Sequence, residues 1–548
     1  MKYPRFWRNK APTPTFKDGV LKNPAEIGAD SLCRRNPLKQ SLPFGTFTFP
    51  HLLSFTMTSY ASLSALAREI ALLQSTASVL GWDQETYMPE KSLDHRANQI
   101  SYLSAKAHEL STGEHFRSLL EKAEAEAVSA TPLEAANLRE WRYETDRAVR
   151  IPTSLVAEES EVTTHAKHAW VEARKKSDFL LFAPHLTRVL EIARRKAALW
   201  GYQNEPYDAL LMGYERGATT QGVADLFGEL KPQLARIAKQ AVARSASTPV
   251  DLLHGDYPVD KQQQLNQEIA ESLGFDFTAG RIDTTAHPFC TTLGPNDIRL
   301  TTRYDLRDFT SSLFGVLHEA GHGLYEQGLR ESDYGFPSGT AVSLGIHESQ
   351  SRLWENHVGR SEAFWQKWLP RAAELFPSLK TISAADFLST IHRSEFSLIR
   401  VEADEATYDL HILLRFELER RLLNGSLEVG AVPNAWNESF EDLFGLTPPD
   451  DAHGCLQDIH WSMGGLGYFA TYTLGNLNAA QLFQQAQTHG NISTGIQNAD
   501  YGPLLQWLRQ EVHSQGSIMH PNDLMRKATG RPTEPAPYLA HLHRRFVA

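Results

Sequence analysis

His318-Glu319-Ala320-Gly321-His322 is the stretch of this chain whose residue types and spacing point most directly to chemistry. It lies inside an apolar-periodic run, 309–328, that predicts a helix, and residues four apart on a helix share one face. Both imidazoles can then reach one metal ion, with Glu319 beside them to activate water there. The flanking Leu313, Phe314, Val316, Leu317, Gly321 and Leu324 are apolar or small, so the helix is expected to be buried. Buried histidine and glutamate need partners. A third ligand is offered by Glu348, which stands 348 − 322 = 26 residues beyond the second histidine. Two histidines and a glutamate with one position left open form a known catalytic zinc set. The longer HExxHxxGxxH pattern does not fit, because Tyr325 and Gly328 stand where it needs glycine and histidine. His347 competes with Glu348, but on a helix its side chain points about 100° away. That direction suits a group that supports a ligand or meets substrate.

The elements that must position these residues are almost all helices. From Thr58 onward Leu63, Leu66, Ala67, Ile70, Leu73, Ala77 and Leu80 recur at helical spacing, and Gly81 to Pro89 is expected to break that helix. Further amphipathic runs predict helices at roughly 91–111, 114–127, 132–149, 153–176, 182–199 and 222–245. A long helix is expected from Ala403 to Leu423, stopped by Asn424-Gly425. Strand-like alternation is confined mainly to 279–305, in Arg281-Ile282-Asp283 and Asp297 to Thr302. One small sheet therefore precedes the metal-binding helix, and a strand edge there can hold an extended peptide by main-chain hydrogen bonds.

Composition narrows the class. A chain of 548 residues with 41% hydrophobic and 10% aromatic residues can bury a large core. Its net charge of −11 argues against a nucleic-acid partner. No apolar run approaches the ~18–20 residues needed to span a bilayer, so no membrane partner is expected. Three cysteines, Cys33, Cys290 and Cys455, form no disulfide framework and fit free thiols in a reducing, cytoplasmic setting. The first 56 residues differ: nine Lys or Arg and three acidic residues give 9 − 3 = +6, leaving −11 − 6 = −17 on the rest. This segment reads as a disordered or non-native extension rather than a working transit peptide, with Met57 an alternative start and the catalytic domain at 57–548.

Seven separated motifs then converge: Gly81-Trp82-Asp83-Gln84-Glu85-Thr86-Tyr87-Met88-Pro89, His287-Pro288-Phe289, Asp297-Ile298-Arg299-Leu300-Thr301, His318 to His322, His347-Glu348-Ser349-Gln350, Ile399 to Asp404, and Gly454 to Trp461. Together they make the chain, from about Met57 to Val547, resemble the carboxypeptidase Taq type of metallocarboxypeptidase. The resemblance implies a mainly α, two-lobed peptidase with a deep active-site groove and one small β-sheet beside the zinc helix. It implies a homodimer that removes single residues from the free C-terminus of peptides with broad tolerance. Carried over by position, it implies Zn2+ on His318, His322 and Glu348, with Co2+ a possible substitute, and Glu319 as general base and acid.

Other roles remain open between residues. A tetrahedral oxyanion needs a donor besides the metal, and Tyr408, His460 and His287 are candidates. Each also fits a buried polar group with a structural partner. An exopeptidase needs a cation for the terminal carboxylate, and a guanidinium can bind it in bidentate fashion. Arg400 is the first candidate, then Arg299, then Arg352; Arg400 could instead pair with Asp404. Asp458 is expected to orient His460 or a ligand histidine, since metal-bound imidazoles usually donate to a carboxylate or carbonyl. Asp297 and Asp404 compete for similar supporting roles, and Asp83 and Glu85 are read as capping or salt-bridging groups. Two rival readings stand beside the carboxypeptidase: an endo-oligopeptidase or peptidyl-dipeptidase, and a helical scaffold whose zinc is closed by four protein ligands.

Overall fold

The computed structural model describes residues 58–127 and 130–548; the basic segment 1–56 lies outside them. Four helices come first: α1 (Ser59–Thr86), α2 (Leu93–Thr112), α3 (Glu114–Glu126) and α4 (Pro132–Arg150). They close a small core around Leu63, Phe116, Leu120 and Trp141. Helix α4 starts with a reciprocal capping box between Thr131 and Glu134, and Pro132 stands in its first turn. Next come α5 (Thr153–Lys176), α6 (Ala183–Trp200), α7 (Pro206–Leu211), α8 (Thr220–Ser245) and α9 (Val259–Leu273).

The single sheet among the described residues has three strands, β1 (Gly280–Thr284), β2 (Cys290–Gly294) and β3 (Asp297–Thr302), in the order β1-β3-β2. The central strand β3 runs parallel to β1 and antiparallel to β2, and it buries Ile298 and Leu300. Strand β2 is thus an edge. The chain then enters α10 (Phe309–Glu326) and α11 (Leu344–Arg352), and α11 continues as a π-helical turn, Leu353–Val358. The remaining helices are α12 (Glu362–Leu375), α13 (Ala384–Ile391), α14 (Tyr408–Asn424), α15 (Val432–Phe444), α16 (Ala470–Ala486), α17 (Gly490–Gln497), α18 (Gly502–Glu511), α19 (Pro521–Thr529) and α20 (Ala536–Leu542).

Two large hydrophobic cores account for the two lobes. One gathers α5–α8 with α14–α16, around Leu186, Phe227, Leu414 and Trp436. The other gathers α9–α13, the sheet and α17–α19, around Ile269, Leu300, Leu317 and Trp354. Helix α16 belongs to both: Leu474 and Leu477 face the first core, Ala479 and Leu482 the second. A cavity of about 570 Å³ opens between α4–α6 and the start of α11, with His347 on its wall.

Two helix boundaries depart from the sequence expectation. Gly81 does not break α1, which runs on to Thr86. The glycine penalty of about 1 kcal/mol is offset by the buried Trp82 and by Arg96, which donates to the Leu80 carbonyl (2.7 Å) and to Asp83 (2.7 Å). The helix stops only where the amides of Tyr87 and Met88 both turn back to the Asp83 carbonyl. Helix α14 starts at Tyr408 rather than Ala403. The Asp404 carboxylate accepts from the amides of Glu395 and Ala406 and from the Thr407 hydroxyl, so the preceding residues are held in a turn. Its end agrees with expectation, with Gly425 left-handed at φ +82°. Cys290 and Cys455 are free thiols, also as expected.

Buried neutral imidazoles make this fold acid-sensitive. His513 is fully buried and donates from Nε2 to Gln350 (3.0 Å); burial, reinforced by Arg509, holds its pKa down at about 3. His392 donates to the Arg360 carbonyl (2.7 Å) and is held at about 3 by burial and Arg545. The unfolded chain protonates these rings near pH 6.5, about where free histidine titrates. Between about pH 6.5 and 3 the unfolded state therefore binds more protons, and stability falls as pH drops, by roughly 1.4 kcal/mol per pH unit per ring. Thermal unfolding followed by circular dichroism should show a midpoint that falls between pH 7 and 5.5. His513→Gln keeps the donor without the titration and should show a smaller drop. An identical drop in both proteins would contradict the linkage.

Candidate metal centre

Helix α10 is started by Asp308, whose carboxylate accepts the Thr310 amide (2.8 Å). Its apolar side, Leu313, Leu317, Ala320 and Leu324, is fully buried, and this anchors the opposite face, which carries His318 and His322. Glu348 reaches the same point from α11. Its Oε2 lies 3.7 Å from Nε2 of His318 and 3.5 Å from Nε2 of His322. Ligands held at about 2.1 Å in a tetrahedron around zinc are about 3.4 Å apart, so Glu348 stands from both imidazoles at close to the spacing such an ion requires. All three ligand atoms lie within 4.8 Å of one another, and this is the one such group among the described residues. Three donors of this chemistry leave a tetrahedral ion one open position.

Two close approaches make this geometry possible. A Cβ on Gly321 would meet the Gln350 carbonyl oxygen at 2.5 Å and Ser351 Cα at 2.6 Å, so only glycine lets the α11 backbone come this near α10. A Cβ on Gly475 would meet the Glu348 side chain at 2.5 Å, so α16 presses Glu348 from behind.

The second nitrogen of each of the two ligand imidazoles is engaged, by a carboxylate for His318 and by another imidazole for His322. His318 donates from Nδ1 to Glu355 (2.9 Å). His322 reaches its carboxylate through a second ring: its Nδ1 is 2.5 Å from Nδ1 of His347, whose Nε2 is 2.8 Å from Glu326. This network assigns Nδ1–H to both ligands and frees both Nε2 lone pairs for a cation. Thr292 on β2 donates to the second Glu326 oxygen (2.7 Å). Arg352 donates to Glu348 (2.8 Å) and to Glu355 (3.2 Å). Burial opposes the charge on Glu348, but Arg352 and the two imidazoles outweigh it and hold the carboxyl well below the usual range. Among the described residues no hydrogen bond reaches the buried Glu319 carboxylate, and burial, with Glu348 and Glu355 nearby, pushes its pKa up to about 7.

A second cluster holds three of the remaining candidates. Arg400 donates to Asp458 (2.7 Å) and to the Tyr408 hydroxyl (2.9 Å), and Arg415 donates to the other Asp458 oxygen. Two guanidinium groups share one carboxylate, which leaves one positive charge over. The pairing of Arg400 with Asp404 is not formed; the Asp404 carboxylate instead holds the turn before α14, accepting from Glu395, Ala406 and Thr407. His460 sits beside the cluster, its Nδ1 3.8 Å from Asp458, and burial with the two arginines lowers its pKa to about 4. The guanidinium of Arg352 lies over the Tyr408 ring at 4.7 Å and so links this cluster to Glu348.

The other candidates stand apart. Arg299 is taken by Asp297 in a bidentate pair (2.8 and 2.9 Å) and lies over the Trp82 ring at 4.1 Å. His287 is exposed in the loop between β1 and β2. Asp458 touches neither ligand histidine. The carboxylates that do the orienting, Glu355 and Glu326, were missed by sequence reasoning. Helical spacing could have found them: Glu326 stands four residues after His322 and Glu355 seven after Glu348. Asp83 makes the expected salt bridge, to Arg96.

The chain is similar to known proteins over most of its length. The family model for carboxypeptidase Taq (M32) metallopeptidase matches residues 62–546. Thermostable carboxypeptidase 1 of Thermus thermophilus is 42% identical over 502 residues, 89% of this chain and 98% of that protein. Carboxypeptidase 1 of Bacillus subtilis is 37% identical over 469 residues, 85% and 93% of the two chains. Among solved structures, the M32 carboxypeptidase of Deinococcus radiodurans R1 superposes with a TM-score of 0.87 at 35% identity, covering 89% of this chain and 99% of that one. Metallocarboxypeptidase 1 of Trypanosoma cruzi gives 0.87 at 34% identity, covering 90% and 100%. With its metal-ligand geometry, its helical fold and its full-length likeness to these enzymes, the chain belongs to the carboxypeptidase Taq (M32) family of metallopeptidases, and it is a peptide hydrolase.

Proposed function

We propose that this hydrolase is a zinc enzyme that releases single residues from the free C-terminus of peptides with broad side-chain tolerance, with Glu319 as general base. The observation that carries the reading is the open three-donor group of His318, His322 and Glu348, each imidazole backed by a carboxylate, His322 through His347. A structural zinc is closed by four protein ligands, so the open group disfavours the scaffold reading. Imidazole and carboxylate donors suit zinc, and cobalt can take the same set.

When bound, the ion supplies Lewis acidity at the scissile carbonyl and lowers the pKa of water. Glu319 takes the proton of the attacking water and returns it to the leaving amine. The surplus charge of the Arg400–Asp458–Arg415 cluster favours the substrate's terminal carboxylate, with the Tyr408 hydroxyl at its edge. Tyr408 and His460 are the groups nearest that cluster to steady the oxyanion. Arg352, engaged by two carboxylates, serves to fix Glu348 rather than to anchor substrate. Strand β2, whose Thr292 binds Glu326 and whose Leu293 carbonyl is taken by Ser75 of α1, is an edge of the sheet. The rest of that edge suits the backbone of an extended peptide. The homodimer implied by the family resemblance and the reducing, cytoplasmic setting read from the cysteines belong to the same reading. Among the described residues no helix is long and apolar enough to cross a membrane.

Three experiments test it. Glu319→Gln should keep its metal, measured by atomic emission, and lose about a hundredfold or more in kcat; near-parent turnover would remove Glu319 from the mechanism. A peptide with a free C-terminus should be trimmed while its amidated twin survives, and equal cleavage of both would favour the endo-oligopeptidase instead. Glu355→Gln and Glu326→Gln should each weaken zinc binding by about 10- to 100-fold in chelator competition. Unchanged affinity in both would refute the proposed backing of the ligand histidines.

A further inference from the structure

Glu215 has no place in the chemistry above, yet it is a buried carboxylate, 4% exposed, with no cation paired to it among the described residues. It lies between α7 and α8, far in sequence from the metal-binding segments. One oxygen accepts the Ser343 hydroxyl (2.9 Å) and the other the Gly345 amide (3.0 Å). Next to it, the Tyr214 carbonyl accepts the Leu344 amide (3.2 Å). All three donors belong to the first turn of α11, where helical amides have no partner within the helix and the dipole favours an anion. Ser343 is itself the N-cap, accepting the Ile346 amide (3.1 Å). Gly345 is shaped for the contact, since a Cβ there would meet a Glu215 oxygen at 2.7 Å. Burial pushes the Glu215 pKa up to about 7, so the group is kept at a cost to the fold.

That cost has a mechanical counterpart. Helix α11 has nine residues before it runs on into the π-helical turn, and Glu348 stands one turn beyond Gly345. Gly321 and Gly475 set how closely α10 and α16 approach its sides. Close apolar contacts of that kind limit separation, but they resist sliding along the axis or rotation about it only weakly. A shift of one residue moves a helical side chain by about 1.5 Å along the axis and 100° around it, and a fraction of that takes a carboxylate out of range of an ion held at about 2.1 Å. Directional hydrogen bonds at the end of the helix fix both movements.

We propose that Glu215 is a positioning residue that sets the axial register of α11 and thereby holds Glu348, and His347 beside it, at the metal. The inference rests on the zinc reading of the site and extends it to a residue outside the ligand shells.

The test uses the full chain loaded with Zn2+ or Co2+. Glu215→Ala should lower zinc affinity about tenfold or more in chelator competition, and it should alter the visible absorption of the Co2+ form. Glu215→Gln, which can still accept from Gly345 and donate to Ser343, should restore most of both. Ser343→Ala, which keeps the carboxylate but removes the hydroxyl's contacts with both Glu215 and the Ile346 amide, should give an intermediate loss and serves if Glu215→Ala does not fold. A lower unfolding temperature with parent-like zinc affinity and an unchanged Co2+ spectrum would leave Glu215 a purely structural group and overturn the proposal. If the parent chain takes up no metal, or His318→Ala does not reduce its uptake, the zinc reading falls and this proposal with it. Metal uptake by the parent with unchanged affinity in the Glu215 variants defeats this proposal alone.

Discussion

Three donor atoms from two helices lie within 4.8 Å of one another, although helix axes ordinarily pack 8–10 Å apart. Long side chains can bridge such a gap, but they give up orientation as they do so. Here the backbones themselves come together. Gly321 admits the α11 main chain, and Gly475 brings α16 against the back of Glu348. Helix α16 contributes to both large cores, so the wall behind the ligand carboxylate is anchored in both lobes at once.

Electrostatics imposes a second constraint. A buried carboxylate is expensive unless it is paired and hydrogen-bonded. The region around the ligands contains Glu319, Glu326, Glu348 and Glu355. Arg352 binds two of these, and the imidazole network ties a third to His322. Glu319 alone among them lacks such a partner, and its raised pKa follows from that isolation. The group left unsatisfied is the one proposed to exchange protons. Beyond Tyr408 the balance reverses, with two arginines for one aspartate. The site therefore presents carboxylates on one side and a surplus cation on the other, the polarity expected for a substrate that ends in an anion.

Much of this was legible in the chain because it is local. The pair His318 and His322 needs only one helical turn, and most helices follow from apolar spacing that packing then reinforces. Glu348 was within reach because its neighbourhood is rich in ligand-type residues. The supporting carboxylates were harder. Three glutamates, Glu319, Glu326 and Glu355, stand within seven residues of one of the three donors, and which of them faces an imidazole depends on how α10 and α11 are rotated against each other. Asp458 was expected to orient His460 or a ligand histidine, since metal-bound imidazoles usually donate to a carboxylate; it lies 3.8 Å from His460, but Arg400 and Arg415, brought in from elsewhere, take its hydrogen bonds. The start of α14 was misplaced for a related reason: Asp404 satisfies three donors locally, and this competition with the helix leaves no trace in hydrophobic periodicity. At Gly81 the reverse holds, since a helix breaker by propensity is overridden by Trp82 and Arg96.

The pentapeptide at 318–322 is usually written with two arbitrary letters. Gly321 occupies the second of them, and the main chain of α11 leaves no space there even for a methyl group. Here the signature has four specified letters, the fourth imposed by a neighbour twenty-nine residues downstream (350 − 321 = 29). A combinatorial library that randomised 321 while keeping both histidines and the glutamate would retain the pattern yet separate the segments that hold the third donor in place.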